Sequence, residues 1–395
     1  MKDFPIIQIR KETKAVDQSL FFNSAGSSLP SDESIRIIKD YIDNEASIGG
    51  YGLMEKEYDS FQEFYNQVAI LINAKPTNIA FAQSATIACS QALYAIDWNK
   101  NDVILTSKLE YASNHLSLLR IKERFDIKII LVDVQDDGLI DMNALEKEMK
   151  THHPKALMLT HIPTNTGVIQ DVFIAGQLCK QYNCIYILDA CQSVGQIDVD
   201  VQKINCDFLS VTGRKFLRGP RGTGFLYVSD EILEDNKAPL CIDLAGADWT
   251  GHNQYRFHNN AKRFEMWEKN YSILLGLTQS IREINKIGIK KVDLYNKDLQ
   301  SFYRQTLQSI DGVNIADEGD NTCNIITWTY KDISRSKSIE LLNACNVVYS
   351  MAMKESALID MNRKGIDWSI RFSPHYFNTK EEIEVFRNRF LDKLS

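Results

Sequence analysis

The chain has 395 residues, of which 44% are hydrophobic and 25% charged, and its net charge of −7 corresponds to a pI near 5.6. This length is sufficient for one large domain and a smaller one. The acidic charge argues against nucleic acid or an anionic membrane surface as the main partner. No apolar run approaches the roughly 18 residues of a membrane span, and the amino terminus lacks the apolar core of a signal peptide, so we expect a cytoplasmic protein.

The eight cysteines and seven histidines are scattered along the chain. No two cysteines form a CxxC pair, and the histidines do not have the spacing of metal ligands. We therefore expect buried free thiols and no metal site.

Seven short β-rich runs lie between Asn78 and Val228. The stretches between them are long enough to hold helices, except that a glycine-rich turn joins the final two runs. This alternation predicts an α/β fold, with a mostly parallel seven-stranded sheet that is covered by helices and ends in an antiparallel hairpin. The runs are residues 79–81, 103–105, 127–132, 156–159, 185–188, 208–211 and 225–228.

Beyond Asn270 the pattern changes to a long amphipathic helix, followed by strand-like runs at 324–329 and 369–372 and a charged helix from Thr379. This second pattern predicts a smaller α+β domain at the carboxyl terminus. The predicted divisions are an amino-terminal segment (1–20), a large domain (21–270) and a smaller domain (271–395).

Asp189 ends one of the apolar runs, and Lys215 follows it by 26 positions, just before a glycine-rich turn. A pyridoxal phosphate site needs an amine that forms a Schiff base and a carboxylate that keeps the pyridine nitrogen protonated. Asp189 and Lys215 supply these two groups. We therefore predict pyridoxal phosphate as the cofactor, with Lys215 and Asp189 as catalytic residues.

A phosphate site is predicted after the first strand run, where an apolar helix pattern begins. A helix start offers backbone N–H groups, and hydroxyl groups beside it can donate to a phosphate as well. We predict that Ser84, Ala85 and Thr86 bind the cofactor phosphate. Thr212 and Arg214, which flank the lysine motif, are predicted to close on the same group.

Six segments, in the same order, resemble the motifs of fold-type I pyridoxal phosphate enzymes of the aminotransferase class V and cysteine desulfurase superfamily. The resemblance covers nearly the whole chain. The segments are 21–26 (the "LDNAA" active-site loop), 84–86 (the phosphate loop), 161–167 ("HxxNxxG"), 189–192 ("DAAQ"), 212–215 ("S/T-x-H-K") and 369–383 ("RxSxxxYNTxEEI").

The resemblance implies a role for each of four residues. Asp189 pairs with the pyridine nitrogen, and Gln192 contacts the phenolic oxygen of the cofactor. Lys215 forms the Schiff base and moves the α-proton of the substrate. Arg371 binds the substrate α-carboxylate, which a guanidinium can contact through two parallel hydrogen bonds.

Further contacts follow from the same resemblance. Tyr111 stands where the family places a ring that stacks on the cofactor. Thr164 and Asn165 lie in the loop on the cofactor side of the site. The resemblance assigns substrate contacts to Asn23, Ala25 and Gly26.

The chain also departs from the family motifs. Cysteine desulfurases carry a nucleophilic cysteine on a loop shortly before the carboxylate-binding arginine, but residues 350–360 contain no cysteine. Cys345 lies upstream in an apolar pattern and is predicted to be a core thiol. Arg214 replaces the family histidine, and Glu268 lies in the block that reaches the phosphate of the neighbouring subunit. The resemblance nevertheless implies a homodimer.

The local sequence is most similar to the branch that holds cystine and hercynylcysteine-sulfoxide C–S lyases, with isopenicillin N epimerase nearby. We therefore expect an enzyme whose small-molecule substrate is a sulfur-containing α-amino acid and which cleaves the C–S bond by β-elimination through a Lys215 Schiff base. A class V aminotransferase or an amino-acid epimerase is the alternative, and a cysteine desulfurase ranks below both. A structural paralogue without cofactor ranks last, because Asp189, Gln192, Lys215 and Arg371 are all present.

Overall fold

A computed structural model describes residues 4–331 and 333–394. In these residues the strands are β1 (Leu20–Phe21), β2 (Ile79–Ala82), β3 (Val103–Ser107), β4 (Lys128–Val132), β5 (Ala156–Thr160), β6 (Ile185–Asp189), β7 (Phe208–Thr212), β8 (Gly224–Val228), β9 (Ala247–Gly251), β10 (Gln254–Phe257), β11 (Val313–Ile315), β12 (Ile326–Tyr330), β13 (Val347–Val348), β14 (Ser350–Met353) and β15 (Trp368–Phe372).

The α-helices of the same residues are α1 (Ile6–Lys11), α2 (Ser24–Ser27), α3 (Asp32–Ile48), α4 (Gly50–Lys56), α5 (Tyr58–Ile72), α6 (Ala85–Tyr94), α7 (Ala112–Phe125), α8 (Met142–His152), α9 (Val172–Tyr182), α10 (Val201–Ile204), α11 (Asp230–Glu234), α12 (Tyr271–Ile287), α13 (Ile289–Gln308), α14 (Arg335–Ala344), α15 (Leu358–Lys364) and α16 (Lys380–Asp392). Short 3-10 helices lie at Lys14–Asp17, Pro76–Asn78, Ala261–Phe264 and Lys354–Ser356.

The main sheet has seven strands in the order β2-β8-β7-β6-β5-β3-β4. Only β8 runs against its neighbours, so the other six strands point in one direction. The seven strand runs predicted from the sequence all belong to this sheet. The predicted α/β fold, with its antiparallel hairpin between β7 and β8, is therefore confirmed.

Helices bury both faces of this sheet. Along β5, Leu157 and Leu159 join one apolar cluster while Ala156 and Met158 join another. Successive side chains of a strand point to opposite faces, so each face has its own core. Burial on two sides explains why most strands of this sheet are rich in apolar residues, whereas the edge strand β4 is partly exposed.

The second sheet has four antiparallel strands in the order β11-β12-β15-β14. Its core includes Trp328 of β12, Phe372 of β15 and Phe386 of α16. Helix α16 begins with a capping box. The Thr379 hydroxyl accepts the backbone N–H of Glu382, and the Glu382 carboxylate accepts the backbone N–H of Thr379. This sheet is the predicted α+β part of the chain.

The boundaries between the predicted domains are crossed by several contacts. Strand β1 pairs with β13, so the amino-terminal part of the chain joins the carboxyl-terminal part. Helix α12 packs against α3 and α5 rather than on the second sheet. The division at residues 20 and 270 stays a prediction.

Seven of the eight cysteines are buried free thiols, whereas Cys241 is exposed. Among residues 4–331 and 333–394, no helix combines the length and the apolar character that crossing a bilayer requires.

Candidate active site

A cavity of about 290 Å³ opens where the carboxyl ends of the parallel strands meet the second sheet. Ligands of open α/β sheets bind at this edge because the loops after parallel strands converge there. The structure brings thirteen of the fifteen predicted site residues to its lining. They are Ala25, Gly26, Ser84, Ala85, Thr86, Tyr111, Thr164, Asp189, Gln192, Thr212, Arg214, Lys215 and Arg371.

Lys215 lies in the turn that joins β7 to β8. Its carbonyl oxygen accepts a 2.9 Å hydrogen bond from the backbone N–H of Arg218, which adopts a left-handed conformation with φ of 59°. Burial, with smaller contributions from the positive charges of Arg214 and Arg371, lowers the pKa of the Lys215 amine to about 8. A substantial fraction of this amine is therefore neutral near pH 8.

Asp189 is the last residue of β6 and is buried. Its Oδ1 accepts the backbone N–H of Cys191 at 2.9 Å, and its Oδ2 accepts an N–H of the Asn114 side chain at 2.7 Å. Two donors on a buried carboxylate offset part of the cost of its desolvation. Asp189 is thereby held in one orientation at the edge of the cavity.

The predicted phosphate end of the cavity is the amino terminus of α6. Ser84 is the N-cap residue, and its Oγ accepts the backbone N–H of Ile87 at 3.2 Å. Ala85 and Thr86 form the first turn, whose N–H groups are free of intrahelical partners. With the Arg214 guanidinium on the same cavity, this end suits a doubly charged phosphate.

Arg371 comes from the opposite side of the cavity, on β15. It pairs with Ser350 in the register of β14 and β15, and its Nε donates to Ser350 Oγ at 2.9 Å. Its Nη1 donates to the carbonyl oxygen of Thr164 at 2.9 Å and to Thr164 Oγ1 at 2.8 Å. Burial and the charge of Arg214 lower the Arg371 pKa to about 10, so this guanidinium favours an anionic ligand.

Two predicted residues do not line the cavity. The Asn165 amide donates to Asp360 at 2.6 Å, away from the lining. In the motif HxxNxxG the asparagine stands three positions after the histidine and three before the glycine. In this chain that position, counted from His161 and Gly167, is Thr164 and not Asn165. Asn23 lies behind Gly26, because a Cβ atom added to Gly26 would be 2.3 Å from the Oδ1 of Asn23.

Several lining residues escaped the sequence analysis. Asn114 lies in the first turn of α7 and Thr160 ends β5, and the polar character of these two positions is the signal that sequence offered. Met351 and Ser356 come from the second sheet and the 3-10 helix that follows it, and no local pattern marks them. The complete set of missed lining residues is Ser113, Asn114, Thr160, Ile162, Cys191, Met351 and Ser356.

The residues present fit pyridoxal phosphate. Gln192 lines the cavity, and its buried Oε1 has no hydrogen-bond partner among the described residues, which a hydroxyl of a ligand would supply. The lining carries the cations Arg214, Lys215 and Arg371 and the single carboxylate Asp189. This balance suits a phosphate and a substrate carboxylate, together with a protonated ring nitrogen beside Asp189.

Known proteins are similar to this chain over most of its length. The sequence profile of the family "Aminotransferase class-V" matches residues 20–386. A "Probable cysteine desulfurase" of Pyrococcus abyssi is 27% identical over 387 residues, which cover 96% of this chain and 95% of that protein. A "Probable cysteine desulfurase" of Methanothermobacter thermautotrophicus is 27% identical over 341 residues, covering 85% of this chain and 84% of that protein.

Solved structures share the fold. The apo structure of cysteine desulfurase from Thermococcus onnurineus NA1 superposes with a TM-score of 0.89 at 23% identity, covering 99% of this chain and 98% of that chain. C-DES, a cystine C–S lyase in complex with its product cysteine persulfide, superposes with a TM-score of 0.85 at 18% identity, covering 96% and 99%. The chain thus belongs to the aminotransferase class-V family and is a pyridoxal phosphate-dependent enzyme that acts on an amino acid.

Proposed function

We propose that the enzyme cleaves the C–S bond of a sulfur-containing α-amino acid by β-elimination. The observation that carries the proposal is the second-sheet side of the cavity, where Met351 and Ser356 stand and residues 350–360 contain no cysteine. A sulfur atom that is passed to the protein needs a nucleophilic thiol at this place. In an elimination the sulfur leaves with its own substituent, so the protein does not need to carry it.

Two cations of the cavity have separate tasks in this proposal. Arg371 binds the substrate α-carboxylate, and Ser350 and Thr164 hold the guanidinium in place for it. The Lys215 amine takes the proton from Cα, and its lowered pKa makes the neutral form available for this task. Bound pyridoxal phosphate supplies the electron sink for the charge that remains on the substrate.

The proposed reaction balances without an oxidant or a reductant. Cysteine and water give pyruvate, ammonia and hydrogen sulfide, whereas cystine and water give pyruvate, ammonia and cysteine persulfide. The departing thiolate takes the electron pair of the C–S bond. The proton held by Lys215 is then available to protonate a leaving group or the product.

Cys191 is the one cysteine among the lining residues, but its chemistry does not suit a sulfur acceptor. Burial raises the pKa of its thiol well above the usual range. A thiol that stays protonated is a poor nucleophile. In this proposal Cys191 therefore has no covalent role.

Cysteine desulfurase activity is the second candidate. The sequence analysis ranked it below an aminotransferase or an epimerase, but the names of the relatives favour it over both. This reaction would give alanine and a persulfide on an acceptor thiol. Cys345 does not suit the acceptor role, because it is fully buried in the core of the second sheet, as the sequence analysis predicted. The acceptor would have to be a thiol from outside the cavity.

Transamination and epimerisation use the same cofactor and the same Lys215. An epimerase needs a second acid on the opposite face of the substrate, and Asp189 is the single carboxylate among the lining residues. These two reactions therefore stay alternatives below C–S cleavage.

A substrate panel tests the proposal. Cysteine, cystine, cysteine S-conjugates, alanine and aspartate would be incubated with the holoenzyme, and pyruvate, ammonia, sulfide, alanine and optical rotation would be measured. We expect pyruvate and ammonia in equal amounts from the sulfur-containing substrates. Exchange with added keto acids or racemisation without sulfur release would instead favour the aminotransferase or the epimerase.

We also propose a homodimer, in the cytoplasm, with sites near the interface. Support comes from the hairpin of β9 and β10, where Trp249 is 76% exposed and Tyr255 57%, because aromatic side chains so exposed are typical of surfaces that meet a partner. Trp267 and Glu268 replace the family residues that cross the interface. Light scattering that finds only a 45.2 kDa species at micromolar concentration would contradict the dimer.

A further inference from the structure

A second buried carboxyl group lies beside the predicted cofactor-binding carboxylate. Glu110 follows β3 and is 5% exposed, and Asn114, in the first turn of α7, is 4% exposed. The Asn114 Nδ2 donates to Asp189 Oδ2 at 2.7 Å and to Glu110 Oε2 at 3.3 Å. One amide nitrogen thus links the two carboxyl groups.

Thr160 fixes the far end of this network. Its backbone N–H donates to Glu110 Oε1 at 2.8 Å, and its Oγ1 contacts Glu110 Oε2 at 2.8 Å. Thr160 and Asp189 are direct neighbours in the register of β5 and β6. The network therefore joins two adjacent strands of the main sheet to the start of α7.

We propose that Glu110 and Asn114 are positioning residues that hold the Asp189 carboxylate, in its ionised form, toward the pyridine nitrogen of the cofactor. Neither residue was assigned a role by the sequence analysis. Asn114 donates to Asp189, and Glu110 keeps the Asn114 amide turned so that a hydrogen atom points at Asp189. The proposal concerns cofactor binding and does not depend on which reaction follows.

The charges of the pair support this assignment. Two carboxyl groups close together in a buried site do not both ionise readily. Asp189 has the Cys191 and Asn114 donors and lies on the cavity with Lys215. Burial, with a smaller contribution from the charge of Asp189, raises the pKa of Glu110 to about 8. At neutral pH Glu110 is therefore mostly protonated and adds little negative charge beside Asp189.

Binding of pyridoxal phosphate and of its 1-deaza analogue to the apoprotein tests the proposal, because the analogue has carbon in place of the ring nitrogen. For Asn114→Ala we expect about a tenfold or greater loss of affinity for pyridoxal phosphate, the effect of losing a hydrogen bond to a charged group. The analogue has no ring nitrogen for Asp189 to pair with, so its affinity is expected to stay within about twofold. Ser117→Ala, on the same helix but outside the lining, is the matched control.

Glu110→Gln gives an independent variant if Asn114→Ala does not fold. In either orientation its amide NH₂ group faces a donor, the Thr160 N–H on one side or the Asn114 amide on the other, so one hydrogen bond of the network is lost and Asn114 is held less firmly toward Asp189. We expect a smaller loss, about threefold or more, again confined to pyridoxal phosphate. An equal loss for both ligands, or no loss for either, overturns the proposal. Neither binding measurement requires turnover, so failure here is distinct from failure of the proposed C–S cleavage.

Discussion

The two sides of the cavity differ in how their residues are supplied. On the cofactor side, Ser84, Asp189 and Lys215 stand at or just after the carboxyl ends of strands of the main sheet. On the substrate side, Arg371 and Met351 come from the second sheet, more than 130 residues later in the chain. The main sheet thus supplies the predicted cofactor-binding residues, and the second sheet supplies the residues that we propose contact the substrate.

Under the proposed function, this difference lets one type of cofactor site serve more than one reaction. The cofactor side needs a lysine, a carboxylate and a phosphate site whatever the reaction. On the substrate side, the presence or absence of one thiol decides whether the sulfur atom is transferred to the protein or leaves with its own substituent.

Lys215→Ala should have the largest effect. Removal of the amine abolishes the Schiff base and the group that takes the Cα proton, and general base catalysis alone contributes about 10²–10⁴-fold. We expect turnover to fall by at least that factor and borohydride reduction to fix no cofactor to the protein. Arg218 and Arg221 cannot replace the amine, so a reducible adduct with near-native rates would contradict the role of Lys215.

Arg371→Ala should have the next largest effect, on the substrate side. Loss of a charged contact to the carboxylate costs about 2–5 kcal/mol of binding, so KM for amino acids should rise by about 30-fold or more. The cofactor absorption should stay unchanged, because Arg371 is on the opposite side from Asp189. Steady-state kinetics with unchanged KM would remove Arg371 from the site.

Reconstitution of the apoprotein should depend on pH. The folded pKa of Lys215, about 8, lies below the usual lysine value near 10.4, and only the neutral amine attacks the cofactor aldehyde. The rate of cofactor addition should therefore rise about tenfold per pH unit up to pH 8 and level off above it. Pyridoxamine phosphate, which has no aldehyde, is the control. A rate that continues to rise to pH 10 contradicts the lowered pKa.

Ser350→Ala should have a small effect that is confined to the substrate side. The variant removes one of three hydrogen bonds that hold Arg371, at a cost of about 1 kcal/mol. We expect KM to rise about threefold to fivefold with kcat and cofactor affinity unchanged, and Ser350→Thr to restore part of the loss. An equal fall in kcat would show that Ser350 acts elsewhere.

The same contrast determined what the sequence could predict. Each strand of the main sheet contains a short apolar run between polar segments, and all but the edge strand β4 are largely buried, so all seven were predictable, together with the residues that follow them. The Ser350 contact depends on the pairing of β14 with β15, and that register leaves no local pattern. Asn114 was missed because its partners Asp189 and Glu110 lie on other elements.

The product of a single substrate tests the central claim most directly. Wild-type holoenzyme and Cys345→Ala would be incubated with L-cysteine in the absence of other thiols, and pyruvate, alanine, sulfide and the mass of the intact protein would be measured. We predict pyruvate and sulfide in equal amounts, little alanine, and no sulfur atom added to either protein. Alanine as the main product, with a persulfide on wild type that Cys345→Ala lacks, would contradict β-elimination and establish a desulfurase.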